Sequence, residues 1–194
     1  MKALRTVILA IIFVLLFVFV YFFEIKPSKE KKLIEERESK VLFWRPESVK
    51  TVEIDNAFGK TTIVKDSTGN WQIISPITYL ADQGVMNSLV QTLYDSKWVK
   101  TIMDSAMNLD EYGLNPPSLT IKIKLANDST YMLQLGDPVP TGNNYYAISS
   151  HSKGLRLIQD NIYNQFNKSL TEFRDKRIID IYAGEVQKFT IKRK

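Results

Sequence analysis

The apolar run Val7–Phe23 constrains this chain more than any other stretch, because it contains no charge, no proline and no glycine. At about 1.5 Å per residue it covers roughly 26 Å as a helix, close to the ~30 Å hydrocarbon core of a bilayer. A buried helix of a soluble domain would carry a polar face, and this run has none. A cleaved signal peptide is the competing reading, since Lys2 and Arg5 precede the run. Cleavage needs small residues beyond the apolar stretch, whereas Val20-Tyr21-Phe22-Phe23-Glu24-Ile25-Lys26 offers none. The run therefore reads as an uncleaved anchor, residues 1–25, contacting the membrane over residues 4–25, with Tyr21, Phe22 and Phe23 as interfacial aromatics.

Orientation is contested by two rules. Lys26, Lys29, Lys31 and Lys32 outnumber Lys2 and Arg5, so a Lys/Arg count favours a cytoplasmic C-terminal domain. Long domains, however, translocate largely regardless of charge, and a short basic tail before the first span usually stays inside.

The formal charge of +5 is concentrated near the anchor, with +3 of it in residues 1–40. The remainder is nearly balanced, so the folded part carries no basic stripe and no nucleic-acid footprint. The basic cluster next to the anchor suits anionic headgroups instead. The chain has no cysteine, which excludes thiol catalysis, disulfides and cysteine-ligated metal sites. Its one histidine, His151, lies in the polar stretch Ser149–Gly154, which excludes a two-histidine metal site within one chain. No catalytic, metal or cofactor-binding residue is assigned. The glycines Gly59, Gly69 and Gly84 are isolated, so no phosphate loop is expected.

Beyond the anchor, residues 26–40 read as a charged stalk in which Lys31/Glu35 and Lys32/Glu36 are spaced i,i+4. A folded α+β domain is expected over residues 41–182, built from antiparallel meanders and hairpins with two packing helices. Val49–Asp55, Lys60–Lys65 and Trp71–Ile74 form a three-strand meander. Asp82 caps a helix whose buried stripe is Val85, Met86, Leu89, Val90 and Leu93. Trp98–Met103 is extended, and Leu109–Tyr112 is one helical turn stopped by Gly113. Leu119–Leu125 alternates strictly and pairs with Thr130–Leu135. Tyr145–Ser149 and Leu155–Ile158 form a further hairpin. Asn161–Phe173 reads as one helix burying Ile162, Phe166, Leu170 and Phe173.

Residues 183–194 are expected to form a terminal strand, which either belongs to the first unit or starts a second repeat, because Glu185–Ile191 aligns without gaps on Ser48–Ile54. Val186–Ile191 would then close the sheet of the first unit or recruit a further copy by edge pairing.

In this order of elements the chain resembles the family of unknown function DUF4340. The residues that carry the resemblance are Trp71, Ala81-Asp82-Gln83, and above all Asn108-Leu109-Asp110-Glu111-Tyr112-Gly113-Leu114-Asn115-Pro116-Pro117 running into the alternating strand. Leu135-Gly136-Asp137, Tyr145-Tyr146-Ala147 and Phe173-Arg174-Asp175-Lys176-Arg177 complete it, and the resemblance spans roughly residues 1–192. It implies an extracytoplasmic accessory subunit, held in the bacterial cytoplasmic membrane, that works beside an ABC-type permease and ATPase of the gliding-motility-associated group. It carries over no catalytic residue. Tyr112, Gly113, Pro116, Pro117, Gly136 and Asp137 are expected to be structural: a left-handed cap, a proline-fixed approach to the strand, and a strand exit.

Three functions are therefore expected to compete. An anchored, non-enzymatic binding module would present Trp44, Trp71, Trp98 and Tyr145 as an interaction surface. A carbohydrate-active or cell-wall enzyme would use Asp110, Glu111 and Asp137. A structural repeat would assemble through Val186–Ile191.

Overall fold

The computed structural model describes residues 12–19, 21, 34–103, 108–140 and 142–177, with isolated positions beyond. Strands β1 (Val49–Asn56), β2 (Gly59–Lys65), β3 (Trp71–Ser75) and β4 (Tyr79–Leu80) form an antiparallel meander. Helix α1 (Gln83–Asp95) and strand β5 (Lys100–Met103) follow, then a single 3-10 turn over Asp110–Tyr112. Strands β6 (Leu119–Leu125), β7 (Thr130–Pro138), β8 (Asn144–Ser149) and β9 (Leu155–Gln159) make a second meander, closed by helices α2 (Asp160–Phe166) and α3 (Leu170–Phe173).

The two meanders are one sheet. Its nine strands run β4-β3-β2-β1-β6-β7-β8-β9-β5, with every neighbour antiparallel. The seam is β1 against β6, where Val52 lies opposite Ile123 and Ile54 opposite Ile121. Because side chains alternate along each strand, this register puts Val52, Ile54, Ile121 and Ile123 on one face. Ile63, Ile73, Leu133 and Leu135 extend that face, and all eight pack in one core with Met86, Leu89, Val90 and Leu93 of α1 and Ile162, Phe166 and Phe173. Asp82 caps α1 as expected, its carboxylate accepting from the Val85 amide at 3.0 Å, an arrangement that contributes about 1 kcal/mol.

Two elements differ from the sequence reading. The helix expected over Asn161–Phe173 is broken into α2 and α3 at residues 167–169. The Asn56 amide donates to the carbonyls of Phe166 (2.8 Å) and Lys168 (3.0 Å), satisfying groups at the end of α2. Ser169 and Glu172 then form a capping box that restarts the helix. The apolar stripe continues across the break, so periodicity could not reveal it. The second difference is β4, a short strand whose outer side is held by the chain after α3: Asp175 donates its amide to Leu80 (2.9 Å), and Asp82 to Phe173 (2.8 Å).

Residues 34–39 are helical, and the chain after them is fastened to the domain. The Trp98 amide donates to Ser39 (2.9 Å), the Val41 amide to Ser96 (3.2 Å), and Lys40 Nζ to the Tyr94 carbonyl (2.9 Å). Of the expected anchor, residues 12–19 are helical and Tyr21 is also described; the others lie outside the described residues. No helix among the described residues is long and apolar enough to cross a membrane. The strand expected over Val186–Ile191 falls largely outside the described residues, with Val186, Phe189 and Ile191 among those not described.

Candidate functional site: a groove on the open face of the sheet

The helices cover one face of the sheet. On the other, a small second cluster forms near its β9 end, where Leu114, Leu155 and Leu157 are buried outside the main core. Leu114 belongs to the turn that follows Asp110–Tyr112, and the Tyr112 and Tyr146 rings meet edge to face at 5.0 Å. Gly113 caps this turn with φ +64°, a left-handed conformation that suits glycine. The turn is closed internally as well: Asn115 donates to the Asp110 carboxylate (2.7 Å) and Asn108 to that of Glu111 (2.9 Å).

Gly136 of β7 sits directly beneath this turn. A Cβ on Gly136 would collide with the Tyr112 carbonyl and approach the Gly113 carbonyl carbon at 2.9 Å, and a Cβ on Gly113 would collide with the Asp137 carboxylate. Ser118 locks the other side, donating its amide to Leu135 (2.9 Å) and its hydroxyl to the carbonyls of Leu135 (3.0 Å) and Gly136 (2.7 Å). Tyr112, Gly113, Pro116, Pro117, Gly136 and Asp137 are therefore parts of one interlocked corner. Asp110 and Glu111 are occupied within it by the two asparagines.

Pro116, Pro117 and Ser118 form one wall of a groove of about 430 Å³. Its floor is the outward face of β1, β6 and β7: Glu53 and Asp55, Thr120 and Lys122, Met132 and Gln134. Glu53 lies opposite Lys122, and Asp55 opposite both Thr120 and Lys60. Glu53 also pairs with Lys60 at 3.0 Å. Glu53 and Asp55 are two residues apart on one strand, so their side chains leave the sheet in the same direction roughly 7 Å apart. They do not face each other across a space for a scissile bond. Carboxylates, ammonium groups, a hydroxyl and an amide alternate here over a flat floor, which suits an extended polar ligand bearing both charges.

The four aromatics expected as a surface do not come together as one. Trp71 (1 % exposed) and Trp44 (5 %) are core side chains. The Trp71 indole donates to Asn87 at 2.9 Å, and Gln83 clamps the Trp71 backbone, accepting from its amide at 2.7 Å and donating to its carbonyl at 2.9 Å. Tyr145 is half-buried and stacks on Tyr163 at 4.3 Å. Burial pushes its phenol up, with Tyr163 and Asp160 adding to the shift. Trp98 is half-buried on Arg156, 5.7 Å from its guanidinium. His151 stacks on Phe43 at 6.1 Å, and Arg37 covers the same Phe43 ring at 4.7 Å. Among the described residues no group of three or more His, Cys, Asp or Glu could hold a metal ion.

The groove residues Glu53, Asp55, Lys60, Lys122 and Gln134 were not singled out from the sequence. Alternation in Val49–Asp55 and Leu119–Leu125 already puts the polar members of each strand on one face. Nothing local says that those two strands are neighbours.

No curated protein and no solved structure matches this chain. The family described as a domain of unknown function, DUF4340, matches residues 71–194. That span begins at β3, so β1 and β2, which carry the acidic side of the groove, precede it, while the whole interlocked corner lies inside it. Matched over more than half its length, through the segment that holds the Asp110–Pro117 turn and Gly136-Asp137 beneath it, the chain belongs to the DUF4340 family.

Proposed function

We propose that this protein is a membrane-anchored, non-enzymatic binding subunit of an envelope transport complex, held by residues 4–25 in the bacterial cytoplasmic membrane with its α+β domain outside. The groove on the open sheet face is its docking surface. One observation carries this reading: the turn that marks the family builds the wall of the groove, so the same residues that set the fold also shape a polar concavity on that face. The anchor rests on the uninterrupted apolar run Val7–Phe23. The pairing with an ABC-type permease and ATPase rests on the family resemblance. Glu53, Lys60 and Lys122 present both charges to a partner, which favours orientation and specificity over raw affinity.

The test is crosslinked affinity purification of the full-length protein from its native membrane, with the captured proteins identified by mass spectrometry. Stoichiometric permease and ATPase subunits support the reading. Recovery of self-copies alone, or of cell-wall fragments, overturns it in favour of edge-strand assembly or carbohydrate chemistry.

A further inference from the structure

We infer that the β5 edge of the sheet rests on the anionic lipid surface and so fixes the tilt of the domain. This rests on the anchor reading proposed above. The stretch Lys97-Trp98-Val99-Lys100-Thr101-Ile102-Met103 carries two lysines, four large apolar residues and no acid. Among the described residues β5 pairs only with β9 and ends the sheet. Val99 (49 %), Ile102 (36 %) and Met103 (38 %) are exposed there, beside exposed Lys97 and Lys100. Apolar side chains interleaved with lysines are the composition of an interfacial segment: the first enter the headgroup region and the second pair with lipid phosphates.

Position makes lipid the occupant. The segment that leaves the anchor is bonded to the end of α1 and the stretch that leads into this edge, through Ser39–Trp98, Val41–Ser96 and Lys40–Tyr94. Only ten residues, 24–33, separate the apolar run from the helix at 34–39. Fully extended they span at most roughly 35 Å and the 34–39 helix adds about 9 Å, so the bonded segment is tethered within roughly 45 Å of the bilayer. The acids nearby are Glu35, Glu36 and Glu38 on the residue 34–39 helix, Asp95 at the end of α1, where Gln91 donates to it at 2.7 Å, and Asp104, next in sequence after Met103. None is on β5. The lysines also make the edge a poor partner for a second copy of itself, since charged edge strands resist pairing.

A chain without cysteine allows a clean test. Single variants Val99→Cys, Ile102→Cys and Phe58→Cys of the full-length protein are labelled with a polarity-sensitive fluorophore and reconstituted in vesicles containing phosphatidylglycerol and nitroxide-labelled lipid. Phe58 is exposed (64 %) in the β1–β2 turn, five strand spacings or roughly 24 Å across the sheet from β5. Quenching at 99 and 102 but not at 58, cut by roughly half or more when Lys97→Glu and Lys100→Glu are added, is the expected result. If the protein floats with the vesicles but position 102 behaves like 58, the lipid contact is overturned and the anchor stands. Disulfide-linked dimers through Ile102→Cys that form equally without lipid overturn it in favour of edge pairing. Failure to float overturns the anchor reading, and the lipid contact falls with it.

Discussion

The α-carbon of Gly136 lies against the carbonyl oxygen of Tyr112, leaving no room for a side chain between β7 and the turn above it. Gly113, one residue on in that turn, faces the Asp137 carboxylate instead. The two glycines are required for different reasons, and their substitution should differ accordingly. Gly136→Ala meets backbone that cannot move aside, and overpacking of this kind costs about 1–3 kcal/mol or more. Gly113→Ala meets an exposed carboxylate that can swing away, so its cost is the left-handed backbone alone, about 1–2 kcal/mol. Urea unfolding of the two variants should rank Gly136→Ala as the less stable. An equal or reversed order would mean that the corner is not packed on Tyr112 as described.

Gln83 stands in for a strand beside Trp71, accepting from its amide and donating to its carbonyl and to that of Ala81. Gln83→Ala takes this partner from the Trp71 amide, while the Trp71 carbonyl keeps its bond from the Ala81 amide (3.1 Å), and about 1–3 kcal/mol of destabilisation is expected. Gln83→Glu keeps the acceptor for the Trp71 amide and loses the donor, so it should fall between the parent and Gln83→Ala. Thermal unfolding followed by Trp fluorescence measures this directly. A Gln83→Ala protein as stable as the parent would contradict the role.

Local pattern made most of the elements readable and left their arrangement hidden. Alternation in Leu119–Leu125, the Asp82 cap and the Gly113 stop are each written in a few adjacent residues, and each is where it was expected. The β1–β6 seam joins residues about seventy positions apart, and the move of β5 to the far side of β9 is also non-local. Neither has a signature in either strand alone. The groove follows from the seam, so it was invisible for the same reason. The aromatics misled in the opposite direction: Trp71 and Trp44 read as surface anchors by type, but Trp71 lies on the core face of β3 and Trp44, in the segment before β1, packs edge to face on Tyr131.

Asp175 holds Arg177 through its side chain at 2.7 Å and its backbone amide at 2.9 Å, while its own amide pins β4 through Leu80. These bonds from Arg177 hold the Asp175 carboxyl below its ordinary value of 3.8. A folded-state value below the unfolded one stabilises the fold above the unfolded value, and that stabilisation is lost as pH falls through the folded one. Asp175→Asn should therefore be less stable than the parent at neutral pH, with the gap closing as pH drops below about 3.8. Denaturant midpoints measured across that range check it. A gap that persists unchanged in acid would assign the effect to something other than the carboxylate charge.

The groove can be separated from the fold because its charges sit on the solvent side of the sheet. Glu53 and Lys60 form a largely exposed pair, with 35 % and 56 % of their side chains accessible, and such pairs contribute about 0.2–1 kcal/mol. Lys122 packs no core side chain and stands opposite Glu53. Lys122→Gln and Glu53→Gln should therefore shift stability by no more than about 1 kcal/mol. If the groove docks a partner by paired charges, the same substitutions should sharply reduce crosslinked recovery of that partner from membranes at low salt, with the gap to the parent narrowing as salt is raised and screens the parent's own charges. Ser88→Ala, exposed on the α1 helix that covers the opposite face of the sheet, should leave recovery unchanged. Folded variants at Glu53 and Lys122 that still capture the partner in full would move the docking surface away from this face, whatever the partner is.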